Sequence, residues 1–270
     1  MEYDPVKRSL GNVFNKTPFL RKVFYKLLDL LLLRAWYIKR EIKKEYKNKR
    51  NSEVKVFDAG AGFGQYSYFV SSYLERAQVI AVDVKTEQVE DCNDFFEKIG
   101  RADRVKFEYG DLTKYVKPDN FDMAMAIDVM EHILEDELVF KNICDSLHKG
   151  GCLLISTPSD KGGSDVHHEG EHSFIDEHVR DGYNIDDIER KLKNAGFSNV
   201  EKRYSYGVPG SIAWRISMKW PIQLLNISKL FFILLVPYYI ILYPLAFLLD
   251  WIDVSTNHKS GTGLIVKAVK

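Results

Sequence analysis

Residues 53–64, EVKVFDAGAGFG, restrict the fold of this chain more than any other stretch of similar length. A β-branched and aromatic run ends at Asp58 and enters a turn carrying Gly60, Gly62 and Gly64. Tyr66, Phe69, Val70, Tyr73 and Leu74 follow at helical spacing. The pattern reads as strand, tight turn, helix. Glycines in such a turn accept positive φ and let the backbone approach a ligand that a Cβ would hold away. A dinucleotide fingerprint is G-x-G-x-x-G, whereas this loop is G-x-G-x-G with Gln65 after it. Asp58 at the loop entrance would repel a pyrophosphate and attract the ammonium of an amino-acid moiety.

The same alternation continues. Residues 78–84, QVIAVDV, form an apolar run expected to be a strand buried on both faces. Residues 86–98 read as a helix, and 104–111, 121–129 and 152–158 as three further strands. Val139, Ile143 and Leu147 mark a helix expected to stop at Gly150 and Gly151, and Asn184 caps another that Gly196 ends. Residues 197–206 and 263–269 supply the last two strands. Strand–helix alternation of this extent predicts a doubly wound α/β sheet.

Acids mark the strand ends. Asp83 closes the second strand 19 residues beyond Gly64, where a carboxylate can grip a ribose diol. Gly110, Asp111 and Leu112 follow the third strand, and Asp111 can accept from an adenine amino group. Asp128 and Val129 end the fourth. Acids at the carboxyl ends of four successive strands lie on the edge where open α/β sheets bind ligands.

Together, DAGAGFG, VDV, GD, FDMAMAIDVMEHI and GGCLLISTP resemble the ordered motifs of class I S-adenosylmethionine-dependent methyltransferases. They are particularly similar to the type 11 group, which includes quinone-biosynthetic and lipid-modifying enzymes. The later EHVRDGYNIDDIERKLKNAGF is similar to the helix and sixth strand of that group. The resemblance implies a Rossmann-like seven-stranded sheet with its last strand antiparallel, and S-adenosylmethionine as cofactor. It sets Asp58, Gly60, Ala61, Gly62 and Gly64 around the methionine part, Asp83 and Val84 at the ribose, and Gly110, Asp111 and Leu112 at the adenine. Asp128 and Val129 would flank the sulfonium. The resemblance leaves the acceptor open.

The catalytic group is not legible; His132, His168 and His172 are the candidates. Asp128, Glu131 and His132 stand where some quinone O-methyltransferases hold a metal, but the same letters occur in relatives without one, so no metal is expected. His168 to His172 spell H-E-x-x-H, yet the zincin mechanism needs a regular helix, and this segment is rich in Gly, Ser and Asp. A polar lid loop over the acceptor is expected instead.

Two segments lie outside the alternation. Residues 1–52 carry 14 Lys/Arg against 5 Asp/Glu in a chain of zero formal net charge, so one basic patch is expected on a neutral body. Residues 19–37 read as a helix, either packed on the main domain or lying as a basic amphipathic helix on an anionic bilayer. Residues 207–260 form an insertion whose residues 230–249 hold no charge. That run is long enough to span a membrane. However, the strand after it must rejoin the sheet, and Pro237 and Pro244 are expected to break it into short helical pieces. An interfacial hairpin, a buried cap or a dimer contact all suit it.

Three cysteines without CxxC spacing suggest a reducing compartment, and the first 18 residues hold no leader-like apolar run. The expected organisation is a basic helical extension (1–52), a methyltransferase domain (53–206 plus 261–270) and an apolar insertion (207–260). The expected activity is methyl transfer to a hydrophobic, lipid- or isoprenoid-like acceptor on the cytoplasmic membrane face. Membrane contact is assigned to residues 19–50 and 230–251, no nucleic acid is expected, and the oligomeric state is left open. Methylation of a soluble metabolite, with the insertion as a cap, and a non-catalytic scaffold are the alternatives.

Overall fold

A computed structural model describes residues 17–162, 179–228 and 231–270. Seven strands form one sheet in the order β3-β2-β1-β4-β5-β7-β6. They are β1 (Val54–Ala59), β2 (Ala77–Asp83), β3 (Val105–Tyr109), β4 (Phe121–Ile127), β5 (Leu147–Pro158), β6 (Asn199–Ser205) and β7 (Gly263–Val269). The first five run parallel, and β7 lies antiparallel between β5 and β6. The expected fold is therefore present, antiparallel last strand included. The chain winds outward from β1 to β3 and returns to β4 on the other side of β1. This reversal opens the ligand crevice of a doubly wound sheet at the β1–β4 boundary.

Period-two alternation feeds two cores. Val54, Val56, Met123 and Leu154 face one layer, whereas Phe57, Ala59, Ala124, Leu153 and Ile155 face the other. On the first face lie α1 (Pro18–Leu31), α2 (Leu33–Glu45), α3 (Gln65–Tyr73) and α4 (Thr86–Lys98). The second is covered by α5 (Asp136–Ser146) and α6 (Ile185–Asn194). As expected, Asn184 caps α6, its side chain accepting from the Asp186 and Asp187 amides, and Gly196 turns the chain away at φ +109°.

Three expectations need correction. Residues 19–37 are not one helix: Leu32 adopts an extended backbone and separates α1 from α2, so the two can follow different parts of the surface. The helix expected to stop at Gly150 ends at Ser146, because Leu147 already pairs with Phe121 at the start of β5. Pro237 and Pro244 do not break the apolar run. After α7 (Val208–Trp214), a π-helical turn (Arg215–Lys219) and α8 (Trp220–Ile227) comes one continuous helix, α9 (Phe232–Ser255). Tertiary bonds hold it together. The Tyr238 and Tyr239 hydroxyls donate to the Ile216 and Ser217 carbonyls, both at 2.7 Å, and Asp253 near its end accepts from Tyr37 at 2.6 Å and from the Gly210 amide at 2.9 Å.

Candidate functional site

The strand order sets Asp111, Asp83, Asp58 and Asp128 side by side along one rim, at or just past the carboxyl ends of β3, β2, β1 and β4. Between them runs the glycine turn. The Gly60 and Ala61 amides donate to the Val82 carbonyl at 2.8 and 3.1 Å, which folds the turn over toward β2. Gly60 has φ +76°, and a Cβ there would lie 2.4 Å from Cγ2 of Val129. Gly60→Ala is accordingly expected to cost about 1–3 kcal/mol of stability through left-handed strain and overpacking. Urea denaturation checks this, and the displaced Val129 should weaken nucleoside binding in the same variant.

At Gly62 (φ +51°) a Cβ would meet nothing within 4 Å, so this side of the turn faces open space. Its amide donates to Oδ2 of Asp83 at 2.8 Å, and the Lys85 amide donates to Oδ1 at 2.9 Å. The Asp83 carboxylate is thus fixed by two backbone donors at the edge of an open glycine turn. A rigid acceptor pair beside open backbone fits an adenosine ribose. Val84 is exposed next to it, Gly110 is buried, and Leu112 is buried under the rim in the second core.

The other acids have distinct surroundings. Asp111 accepts from the Thr113 amide and hydroxyl at 2.9 and 2.7 Å, which holds its carboxyl below the usual range. Asp58 turns inward. It is buried and takes the Ser67 hydroxyl at 2.6 Å, and burial, with Asp83 nearby, pushes it up to about 6 against the opposing Ser67 bond. The rim therefore includes Asp58, but in this structure its partner is α3 rather than the open cleft.

Asp128 adopts a left-handed backbone (φ +53°) and pairs with Arg34 of α2 at 2.6 Å. The Arg34 amide donates to the Tyr206 hydroxyl at 3.2 Å, and the buried Tyr66 hydroxyl lies beside the guanidinium without good hydrogen-bond geometry. Glu131 is buried on the short helical turn Met130–His132, where Thr157 donates to it at 3.0 Å. Burial, with Asp128 adding to it, raises the Glu131 carboxyl.

The sequence reading missed Arg34, Tyr66 and Tyr206 and weighed Glu131 only as a metal ligand. An arginine inside LLLRAW was the available signal, since a cation within an apolar run needs a buried partner. Arg21 is the second such cation. It is buried and donates to the carbonyls of Phe63 (3.1 Å) and Asp91 (2.9 Å), while Tyr25 also donates to Phe63. Gln65 donates to Asp29 at 2.7 Å. Thus α1 clamps the glycine turn while α2 pairs with Asp128, and two cations of the expected basic patch are paired within the protein.

His132 closes the turn after Val129 and is half-buried. His168 and His172, with the H-E-x-x-H letters, lie outside the described residues. Among the described residues, no group of three His, Cys, Asp or Glu side chains is arranged to hold a metal ion.

Buried carboxyls raised in the folded state make stability pH-dependent with a definite sign. Such groups favour the protonated form, so their contribution is complete below pH 4 and is lost as pH rises through the folded value. Asp58, up to about 6, and Asp250 of α9, pushed up to about 7 by burial and Asp253, set the window. The urea midpoint should fall between pH 5 and pH 8. Asp250→Asn should flatten that slope, gaining on the order of 3 kcal/mol more at pH 8 than at pH 5.

Residues 50–201 match a family model described as a methyltransferase domain. The chain belongs to that family. Its members are S-adenosylmethionine-dependent methyltransferases, in agreement with the expected fold, enzyme class and cofactor. The chain is 30% identical over 166 residues to phosphoethanolamine N-methyltransferase 1 of Zea mays, covering 59% of this chain and 32% of that protein. Identity to the sterol 24-C-methyltransferase ERG6B of Gibberella zeae is 33% over 103 residues, 38% of this chain and 27% of the relative. The chain therefore spans about a third of the length of the curated relatives it matches. Among solved structures, the fold is shared with Haemonchus contortus phosphoethanolamine N-methyltransferase 2 in complex with S-adenosyl-L-methionine. The TM-score is 0.58 at 23% identity, covering 87% of this chain and 52% of the other.

Proposed function

We propose that this chain transfers a methyl group from S-adenosylmethionine to a hydrophobic, lipid- or isoprenoid-like small molecule at the cytoplasmic face of a membrane. One observation carries the choice of acceptor. Arg34 pairs with Asp128 on the rim, and Trp36, on the other side of the same helix α2, packs on Phe247 of α9 with ring centroids 4.8 Å apart, so α2 alone separates α9 from the rim. A mostly exposed apolar helix is thereby anchored next to the edge at which the sulfonium would lie.

In this reading Asp83 holds the ribose, the Gly60–Gly64 turn holds the methionine part, and Asp111 with Leu112 borders the adenine. When bound, S-adenosylmethionine supplies a methyl group already activated on sulfur. The chain has to orient the acceptor in line and exclude water. Arg34, Tyr66 and Tyr206 close the site on that side. A hydroxyl acceptor also has to lose a proton, and Glu131 and His132 are the groups on the turn beside Asp128 that can take it. An amine or activated carbon needs less.

The test is incubation of the full chain with methyl-tritiated S-adenosylmethionine and an organic extract of membranes. Label recovered in the organic phase, and absent with Asp83→Ala, supports the reading. Label entering only a water-soluble product would replace it with the soluble-metabolite alternative. No binding of S-adenosylmethionine would leave the scaffold.

A further inference from the structure

A helix that is apolar all round belongs inside a protein core or in contact with lipid, and α9 is not inside the core. Its window of mean hydropathy 2.3 is only 11% buried. The buried side is a narrow line through Leu235, Ala246, Asp250 and Val254. The opposite stripe of Ile233, Val236, Ile240, Ile241, Leu248 and Trp251 is 50–74% exposed. Side chains of this size leave on the order of 1,000 Å² of apolar surface in water, whereas monomeric soluble proteins rarely expose patches beyond a few hundred.

We propose that this stripe is a docking surface for an anionic bilayer, with α9 lying in the plane of the membrane rather than through it. The proposal rests on the lipid-acceptor reading above and adds how the chain reaches such an acceptor.

Charge selects the occupant. Residues 207–249 contain Arg215, Lys219 and Lys229 and no acid. Arg215 is exposed on the π-helical turn against which α9 packs. The Tyr243 hydroxyl donates to the Leu30 carbonyl at 3.0 Å, and Lys26, exposed, stands one turn before Leu30 on α1. An apolar stripe with cations beside it matches anionic headgroups above acyl chains. A second copy docked through the same face would set these cations against themselves, because a two-fold interface pairs each patch with its own kind.

Attachment along its length sets the orientation. Tyr238 and Tyr239 bond the π-helical turn, Tyr243 bonds α1, and Asp253 bonds α2 and α7. The next strand, β7, is interior to the sheet. A helix fastened at its start, middle and end cannot also thread about 30 Å of hydrocarbon. Pro237 and Pro244 are both exposed, seven residues apart on the outer face. Neither has an N–H to offer the carbonyls of Ile233 and Ile240, and water and headgroups can satisfy those at the boundary. Trp220 and Trp251, exposed by 47% and 57%, suit the same depth.

Flotation of the full chain with two kinds of vesicle tests this: phosphatidylcholine alone, and an equal mixture of phosphatidylcholine and phosphatidylglycerol. The chain is expected to float with the mixed vesicles at least about tenfold better than with the neutral ones, and alkaline carbonate should release it. Ile240→Asp combined with Ile241→Asp should stay in the bottom fraction while keeping its circular dichroism and its affinity for S-adenosylmethionine. A wild-type chain that ignores both vesicles, a double variant that floats unchanged, or carbonate resistance would overturn the proposal. So would a dimer in light scattering that the double variant splits. Methyl transfer into lipid without flotation refutes docking alone, and flotation without transfer refutes the proposed function alone.

Discussion

Asp83→Ala is expected to lower affinity for S-adenosylmethionine by about a hundredfold. The carboxylate is held at both oxygens, by the Gly62 amide at 2.8 Å and the Lys85 amide at 2.9 Å, so it would meet a ribose without first being ordered. Hydrogen bonds to a charged acceptor contribute about 1.5–3 kcal/mol each, and losing this one group removes roughly 3 kcal/mol of binding. The Gly62 amide also loses its acceptor, so the turn loosens where the methionine part would sit. Asp83→Asn keeps an oxygen for that amide but loses the charge, and should recover only part of the affinity. Titration calorimetry reads both variants. Unchanged circular dichroism separates a lost ligand contact from a lost fold.

Asp136→Ala should have the largest effect on stability, about 3–5 kcal/mol, or roughly 10 °C in Tm. Asp136 is buried and is the common partner of Arg180, of Lys191 at 2.7 Å and of the Tyr183 hydroxyl at 2.7 Å. Removing it leaves two cations, 19% and 15% exposed, without their counter-ion. The same network reaches the site. The Tyr183 hydroxyl also lies 3.1 Å from the Met130 carbonyl and Arg180 donates to the Ile133 carbonyl, so the turn bearing Glu131 and His132 is braced from α5 and from the segment before α6. Asp136 remains ionised to lower pH than an ordinary carboxyl: burial opposes the charge, but Lys191, Tyr183 and Arg180 outweigh it. Its contribution is therefore present above the unfolded carboxyl value and is lost as pH falls through the lower folded one. Thermal unfolding at pH 7 and pH 3 should show a large gap between wild type and Asp136→Ala at the first and a small one at the second.

Much of the fold was legible because the signals were local and agreed. Gly60, Gly62 and Gly64 all take positive φ, the acids fall at the ends of adjacent parallel strands, and residues 263–269 form β7 over the expected range. What was not legible depended on distant partners. The partners of Arg34 and Arg21 were not legible, because nothing within a few residues announces Asp128 or the carbonyls of Phe63 and Asp91. Leu32 breaks the first helix with no glycine or proline to mark it, so that α1 can lie over the glycine turn while α2 buries Tyr37, Ile38 and Ile42. Pro237 and Pro244 signalled a broken helix by local rules, yet hydroxyl bonds from three tyrosines keep α9 in one piece. Asp58 was assigned to a ligand by its place in the motif, and its place in space gives it Ser67 as well.

A crystal structure of the full chain soaked with S-adenosylhomocysteine would show whether the aspartate rim is the cofactor site. Ribose hydroxyls are expected on Asp83, the amino-acid part along the Gly60–Gly64 turn, the adenine beside Asp111 and Leu112, and the thioether sulfur facing Asp128 and Val129. A nucleoside bound away from that rim, or a rim left empty at saturating ligand, would contradict that placement.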